Sequence, residues 1–158
     1  MPGLTIVEFR HEYAREFHDI NAEWIGKMFV VEPHDEHVLS HPRETIVDAG
    51  GVILFVAGAD GAILGTGALM PTGRGGVELT KMGVREVARG TGAGAVLLDA
   101  LVARGRAMGA DPLYLLTSSK CEAAIHLYEK VGFIHDPAIM AKYGATYQRC
   151  DVAMSFAD

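Results

Sequence analysis

The sequence predicts a single α/β (α+β) domain in which helices cover both faces of a mixed, mostly antiparallel central sheet of about six to seven strands. In the first half, strand-like segments follow one another with tight turns between them, which favours antiparallel pairing. In the second half, strands and helices alternate, which favours a parallel crossover. No linker or repeat divides the 158 residues, of which 49% are hydrophobic, so residues 1–158 are expected to form one domain.

The N-terminal third predicts one strand and two helices. Thr5–Phe9 has the pattern of a short strand. From Tyr13 to Phe29, apolar side chains recur at steps of three and four, which predicts an amphipathic helix. These apolar positions are Phe17, Ile20, Trp24, Ile25 and Met28. Pro33 ends the pattern, and a second short helix is expected over Asp35–Leu39, before Pro42.

The middle of the chain predicts a three-stranded antiparallel meander. Val52–Val56 and Ile63–Met70 flank the pair Asp60-Gly61, whose residues suit the positive backbone angles of a hairpin turn. A second turn, Pro71–Gly76, is rich in glycine and leads into a third strand, Val77–Val84.

Alternating elements are predicted for the rest of the chain, and apolar periodicity sets their bounds. They are helix Gly94–Met108, strand Leu113–Leu116, helix Ser119–Lys130 and the closing strands Phe133–His135 and Gln148–Phe156. Ser119 and Glu122 have the spacing of a capping box, in which each side chain satisfies a free backbone amide at the helix start.

Charge and apolar run lengths exclude two classes of partner. The chain carries 14 Lys and Arg against 20 Asp and Glu, a net charge of -6, and has no basic run, so nucleic acid is not an expected partner. Val52–Ala57 is too short to cross a bilayer, and no secretory signal is visible, so no membrane association is expected. Cys121 and Cys150 lack zinc-site spacing and indicate a reducing cytoplasm, with a disulfide between them as the alternative.

A glycine-rich loop joins the third meander strand to the next helix. Arg89-Gly90-Thr91-Gly92-Ala93-Gly94 would bring free backbone N–H groups and the positive end of the helix dipole close to an anion such as a phosphate. The alternative is a loop whose glycines only cap the helix. Spacing also allows the dinucleotide pattern G-x-G-x-x-A, but a meander precedes the loop where that pattern requires a parallel βαβ unit.

Two motifs in this order resemble the GNAT superfamily of acyl-CoA-dependent N-acetyltransferases. The first is Arg/Gln-x-x-Gly-x-Gly/Ala after a strand, matched by Arg89, Gly92 and Gly94 after Val84. The second is matched by Ala124, Leu127, Tyr128, Glu129, Lys130, Gly132 and Phe133. The resemblance is clear from about Val52 to Phe133 and implies a GNAT-like fold.

The resemblance implies acetyl-CoA as co-substrate. Its pyrophosphate is expected on the loop backbone, beside Arg89, and its pantetheine arm along the splayed strand end at Met82, Gly83 and Val84. The loop residues concerned are Gly90, Thr91, Gly92, Ala93, Gly94 and Ala95. Cys121 stands where many relatives carry an asparagine that binds pantetheine, and the hydroxyl of Ser118 or Ser119 could replace that contact.

Glu78 and Tyr128 match the family's general base and general acid. The resemblance therefore implies direct attack on acetyl-CoA by the primary amine of a small molecule, such as an amino acid or a polyamine. Glu78 could instead be a surface carboxylate, with a water chain as the base, and Tyr128 could simply pack in the core. A CoA-binding sensor or regulatory module without efficient turnover is the alternative function.

Three further residues are candidates for the acceptor site. Tyr143 and Arg149 belong to a C-terminal set, completed by Tyr147, of two aromatic rings and one cation. As a substrate contact Arg149 could clamp a carboxylate, whereas a solvated Arg149 is the alternative. Trp24 could line the groove or belong to the core.

The spacing of His34, His37 and His41 on a short helix allows a metal site or, together with neighbouring acids, the mouth of an acceptor pocket. No metal is expected, because the helix is short and surface histidine clusters usually bind none. A homodimer formed through the C-terminal strands is a further expectation.

Overall fold

A seven-stranded sheet organises the chain in the computed structural model, which describes residues 3–157. Its strands are β1 (Thr5–Glu8), β2 (Val52–Ala57), β3 (Ile63–Pro71), β4 (Val77–Val84), β5 (Leu113–Thr117), β6 (Phe133–His135) and β7 (Val152–Phe156). Their order across the sheet is β1-β2-β3-β4-β5-β7-β6, and only β4 and β5 pair in parallel. The predicted mixed, mostly antiparallel sheet is confirmed.

Within residues 3–157, five α-helices cover both faces of the sheet. They are α1 (Ala14–Met28), α2 (Pro33–Ser40), α3 (Ala93–Ala107), α4 (Glu122–Val131) and α5 (Pro137–Tyr143). Helices α3 and α4 bury one face in a core that includes Leu97, Leu101 and Tyr128. The opposite face is covered by α1 and α2 over β2 and β3, and by α5 over β5 and β7. None of the helices within residues 3–157 is long and apolar enough to span a bilayer.

The meander has the predicted hairpin turn. Gly61 has φ +84°, a value that glycine adopts without strain, and β2 and β3 pair on either side of it.

The capping-box prediction at Ser119 is wrong. The Ser119 hydroxyl donates to Asp151 Oδ2 at 2.9 Å and its backbone N–H to Asp151 Oδ1 at 2.8 Å, and α4 begins only at Glu122. Asp151 thus takes up both Ser119 groups that a capping box would use, and the local spacing of Ser119 and Glu122 does not show this distant partner.

The C-terminal segment also differs from prediction. The strand expected over Gln148–Phe156 begins at Val152, and the sequence analysis missed α5. Its start signals are nevertheless present, because Asp136 accepts from the amides of Ala138 and Ile139 and Pro137 occupies the first turn. Seven residues are too few for a clear helical periodicity.

Beyond their first residues β4 and β5 diverge. They pair only where Val77–Leu79 faces Leu113–Leu115, and β5 continues alongside β7 instead. Near the divergence β4 carries a bulge, because its register against β3 shifts by one residue and Lys81 has φ +53°. Bulges bend a strand and break its regular alternation, so this one helps to open the sheet.

Candidate active site

Two adjoining cavities lie at the divergence of β4 and β5. The larger has a volume of about 530 Å³ and reaches the start of α3, whereas the smaller has about 50 Å³ and reaches the segment that precedes β7. Residues from four elements form the wall that both share: Trp24, Met82, Thr117, Cys121 and Tyr128. A ligand that extends along the larger cavity would therefore end beside Tyr128 and Cys121.

The glycine-rich loop forms one end of the larger cavity. Arg89, Gly90, Gly92, Ala93 and Gly94 line it. Gly90 and Gly92 have φ +80° and +89°, and α3 begins directly after Gly92. Because the first N–H groups of a helix have no partner within it, this end can donate hydrogen bonds to an anion.

Two predicted loop residues lie beside the cavity instead of on its wall. Thr91 turns inward, where its hydroxyl donates to the carbonyl of Ala88 and accepts from the amide of Ala93. Ala95 is exposed on the surface of α3. The backbone N–H of Thr91 also donates to the carbonyl of Ala88, at 3.2 Å, so that donor is already paired.

The bulged end of β4 forms the floor of the larger cavity. Met82, Gly83 and Val84 line it, as expected for a strand end without a β5 neighbour. A Cβ atom on Gly83 would overlap the indole of Trp24, so glycine allows α1 to pack against this strand. The indole N–H of Trp24 donates to buried Asn21 Oδ1 at 3.0 Å, which fixes the ring at the junction of the cavities.

The segment between β5 and α4 supplies the opposite wall. Cys121 precedes the first residue of α4 and lines both cavities, and buried Ser118 lines the smaller one. Ser118 Oγ accepts from the amide of Lys120 at 3.2 Å. Ser119 is held by Asp151, so Ser118 is the hydroxyl that reaches the cavity.

Tyr128 packs in the core and also lines both cavities. Its ring meets Phe133 edge to face at 5.9 Å, and the side chain is 9% exposed. Burial, with a smaller contribution from Cys121, raises the pKa of its phenol. The hydroxyl therefore keeps its proton at neutral pH and can donate it to a stronger base.

Glu78 lies half-buried on β4, on the sheet face that α1, α2 and α5 cover. Burial raises the pKa of its carboxyl to about 7, although the positive charge of Lys81 acts in the opposite direction. Among residues 3–157, Glu78 is not one of those that line the two cavities. It does interact electrostatically with Tyr147, which lines the smaller cavity. A proton could reach Glu78 from that cavity through water.

An ion cluster that the sequence analysis missed lies behind the smaller cavity. Lys81 Nζ donates to Asp35 Oδ1 at 2.9 Å and to the Tyr147 hydroxyl at 3.1 Å. Arg149 binds both carboxylate oxygens of Asp35, at 2.7 and 2.9 Å, and Glu32 Oε2 at 3.1 Å. Burial alone would raise the pKa of Asp35, but Arg149 and Lys81 outweigh it and hold that pKa at about 2.

The three candidate acceptor residues lie in different environments. Trp24 lines both cavities, and Arg149 lines the smaller one with its side chain 10% exposed. The guanidinium of Arg149 already makes a bidentate interaction with Asp35. It is therefore not solvated, and it is not free to bind the carboxylate of a substrate in the same way. Tyr143 stacks on Tyr114 at 4.4 Å between ring centroids, and Tyr147 lines the smaller cavity instead.

The histidines of α2 do not converge. His34 lies 5.6 Å from the ring of Tyr147, whereas His37 and His41 face each other at 5.0 Å. Within residues 3–157, no three His, Cys, Asp or Glu side chains are grouped so that they could hold a metal ion. Cys121 and Cys150 are free thiols on the wall of the smaller cavity.

Comparison with known proteins identifies the family. The sequence model of the acetyltransferase (GNAT) family matches residues 7–133. The chain belongs to the GNAT family of acetyltransferases. The resemblance seen in the sequence is thereby confirmed, and membership supports an acyl-CoA-dependent acetyl transfer.

Solved structures share the GNAT fold of this chain. A GNAT acetyltransferase from Staphylococcus aureus Mu50 is 19% identical, with 97% of this chain and 98% of that chain covered and a TM-score of 0.85. A phosphinothricin acetyltransferase from Sinorhizobium meliloti, in complex with acetyl-CoA, is 22% identical over 85% and 76% of the chains, with a TM-score of 0.73. A spermidine N-acetyltransferase chimera from Vibrio cholerae and hSSAT is 18% identical over 97% and 92%, with a TM-score of 0.69. No curated protein matches the sequence.

Proposed function

We propose that this GNAT protein is an N-acetyltransferase that moves the acetyl group of acetyl-CoA to the primary amine of a small molecule by direct attack. The observation that carries the proposal is the pair of cavities at the β4–β5 divergence, with the glycine loop at one end and Tyr128 at their junction. One cavity suits a long, anionic donor and the other a small acceptor.

The residues of the larger cavity fit coenzyme A. The loop from Gly90 to Gly94 offers backbone N–H groups and the positive end of α3 to a pyrophosphate, and Arg89 adds a positive charge at the exposed rim. The edge of β4 beyond Leu79 has no β5 partner, so its backbone groups can bind a pantetheine arm. Cys121 faces the cavity where many GNAT members have asparagine.

Two side chains supply the proton transfers. Acetyl-CoA brings the acetyl group as a thioester. Glu78, with its pKa at about 7, would accept the proton that the acceptor ammonium must lose. Tyr128, protonated at neutral pH, would donate its proton to the sulfur of the departing CoA thiolate.

Amines of more than one class remain candidates for the acceptor. The charged side chains that line the smaller cavity are Lys81 and Arg149, and the Asp35 and Glu32 carboxylates behind them offset both charges. An amino acid, a polyamine or a similar amine is proposed, in line with the phosphinothricin and spermidine enzymes that share the fold. A homodimer and a cytoplasmic location stay predictions.

Thermal unfolding with acetyl-CoA, CoA and NADH tests the donor site. At about 1 mM ligand and a dissociation constant of about 10 μM, binding adds about 2.7 kcal/mol and raises Tm by roughly 5 to 10 °C. A rise with both CoA compounds and none with NADH is expected. A rise with NADH alone would contradict the proposal and favour a dinucleotide site.

An amine panel with the Glu78→Gln variant tests catalysis. We expect at least one small primary amine to be acetylated, with transfer falling about 100-fold in the variant because the base is lost. The loss should be largest between about pH 7 and the pKa of the acceptor amine, where Glu78 is ionised and the amine is still protonated. The control is Glu44→Gln, which removes the same charge from an exposed position. CoA binding without acetylation of any amine would favour the sensor instead.

A further inference from the structure

The bulge in β4 brings Lys81 to the same sheet face as Glu78. In a regular strand, residues three positions apart point to opposite faces. The register shift against β3 and the left-handed φ of +53° at Lys81 break this alternation. As a result the Lys81 side chain contacts Asp35 of α2 and Tyr147, on the face where Glu78 lies.

The Lys81 ammonium is held in a fixed, buried position. Its side chain is 2% exposed, and its nitrogen lies 2.9 Å from Asp35 Oδ1, 3.1 Å from Tyr147 Oη and 4.5 Å from the Tyr147 ring centroid. Lysine in a left-handed backbone conformation is uncommon and costs about 1 to 2 kcal/mol. Three contacts with two separate segments, α2 and the turn that precedes β7, therefore hold a strained residue in place.

Four titratable groups face Glu78 from the elements packed around it. Lys81 comes from β4, Tyr114 from β5, and Tyr147 and Cys150 from the segment that precedes β7. Burial raises the pKa of both phenols and that of the Cys150 thiol, the last to about 11, so these three groups are neutral near pH 7.

Lys81 is the member of this set that carries a charge at neutral pH. Arg149 binds both carboxylate oxygens of Asp35 and offsets that charge, and the remaining carboxylate, Glu32, is the most exposed member of the cluster, with its side chain 21% exposed. His34 also lies near Lys81, but burial and that positive charge lower its pKa, which keeps the imidazole neutral.

We propose that Lys81 is a positioning residue of the acetyltransferase site, whose buried ammonium favours the ionised form of the Glu78 carboxyl group and so prepares it to accept a proton. The inference rests on the proposed role of Glu78 as the base. Lys81 itself need not touch either substrate, because a fixed opposite charge on the same sheet face favours the ionised form of a nearby carboxyl group.

Titration of the Glu78 carboxyl carbon by NMR tests the inference without any knowledge of the acceptor. In Lys81→Met we expect the pKa of Glu78 to rise by about 1 or more, because the charge is lost while an unbranched side chain of similar length remains. Lys142→Met is the matched control, since it removes an exposed lysine from α5 on the same sheet face and should leave that pKa unchanged. An unchanged pKa of Glu78 in Lys81→Met overturns the inference.

A double variant covers the case in which Lys81→Met does not fold. Removing one member of a buried ion pair is more destabilising than removing both. Lys81→Met combined with Asp35→Asn removes both charges of the pair, and a smaller rise in the pKa of Glu78 is expected, because the carboxylate that opposes the Lys81 charge is removed with it. No rise in the folded double variant overturns the inference as well.

The pH dependence of transfer separates this inference from the proposed function. With an acceptor from the amine panel, kcat/KM is measured as a function of pH, and the rising limb of this curve should move to higher pH in Lys81→Met. The displacement should equal the change in the pKa of Glu78. A limb that stays in place while that pKa rises would remove Glu78 from the mechanism, but it would leave the electrostatic role of Lys81 intact. A purely structural role of Lys81 would lower the rate at every pH without moving the limb.

Discussion

Tyr128 shows how a single side chain can serve packing and chemistry together. Its ring lies against Phe133 in the core, and the residue also lines the junction of the two cavities. Helical spacing with Ala124, Leu127 and Val131 is equally compatible with a core residue and with a catalytic one. The structure shows that these two interpretations do not exclude each other.

Removing only the phenol hydroxyl separates the two roles. In Tyr128→Phe we expect kcat to fall about 100-fold, because the proton donor is lost, while the ring still packs against Phe133. Chromatographic measurement of CoA release gives the rate, and calorimetry gives the affinity for acetyl-CoA, which should be unchanged.

The control is Tyr13→Phe, since Tyr13 packs on Phe55 near the opposite end of the sheet and should tolerate the same change. Unchanged turnover in Tyr128→Phe would remove Tyr128 from the mechanism.

The divergence of β4 from β5 and the start of α3 produce the larger cavity. The parallel pairing of β4 with β5 ends at Leu79, and α3 begins at Ala93 with its positive dipole end toward the opening. The sequence predicted both elements to within a residue, since Val84 ends a strand and the helix was placed from Gly94. It also predicted the glycine loop between them.

Gly92→Ala tests whether the left-handed start of α3 matters for the donor. Gly92 has φ +89°, so alanine there costs about 1 to 2 kcal/mol and displaces the loop amides. We expect a rise in the dissociation constant for acetyl-CoA of about tenfold, the equivalent of about one lost hydrogen bond.

The matched control is Gly109→Ala, at φ +75° beyond the other end of α3. It should lower the free energy of unfolding by a similar amount and leave acetyl-CoA binding unchanged. Equal weakening of binding in both variants would show that the effect comes from lost stability.

At the scale of the whole molecule, two buried carboxyl groups give stability opposite dependences on pH. The pKa of Asp35 is about 2 in the folded protein, so its contribution is present above its ordinary value of 3.8 and is lost as the pH falls toward 2. The pKa of Glu78 is raised to about 7, so its contribution is present below 4.5 and is lost as the pH rises through 7. Above neutral pH the ionised Glu78 carboxylate therefore lowers the free energy of unfolding. The same raised pKa is what makes Glu78 a base of suitable strength.

Glu78→Gln should remove that cost. Relative to wild type, we expect the variant to gain about 2 to 3 kcal/mol, or roughly 5 to 10 °C in Tm, between about pH 4 and pH 8.5. Thermal unfolding monitored by circular dichroism across this range measures the difference. Glu44→Gln, which changes an exposed carboxyl group, should follow wild type at every pH. A difference between Glu78→Gln and wild type that does not depend on pH would show that the pKa of Glu78 is not raised.

The sequence by itself determined the sheet, the helices on both faces, the glycine loop and the family. These depend on local periodicity, turn residues and two motifs, all of which lie within short stretches of chain. The family resemblance that those motifs carry implied roles for Met82, Gly83, Val84, Cys121 and Tyr128, which all line the larger cavity.

Only the tertiary structure decided the surroundings of Glu78 and the smaller cavity. Lys81 reaches Asp35 across 46 positions of the chain and Arg149 reaches it across 114, and neither separation leaves a local pattern. The bulge that turns Lys81 toward Glu78 follows from a shift in pairing between two strands, which depends on how the whole sheet packs and not on the residues of β4 alone. For the same reason the sequence could not decide which of Tyr143 and Tyr147 lines the cavity, since that follows from α5 docking on β5 and β7.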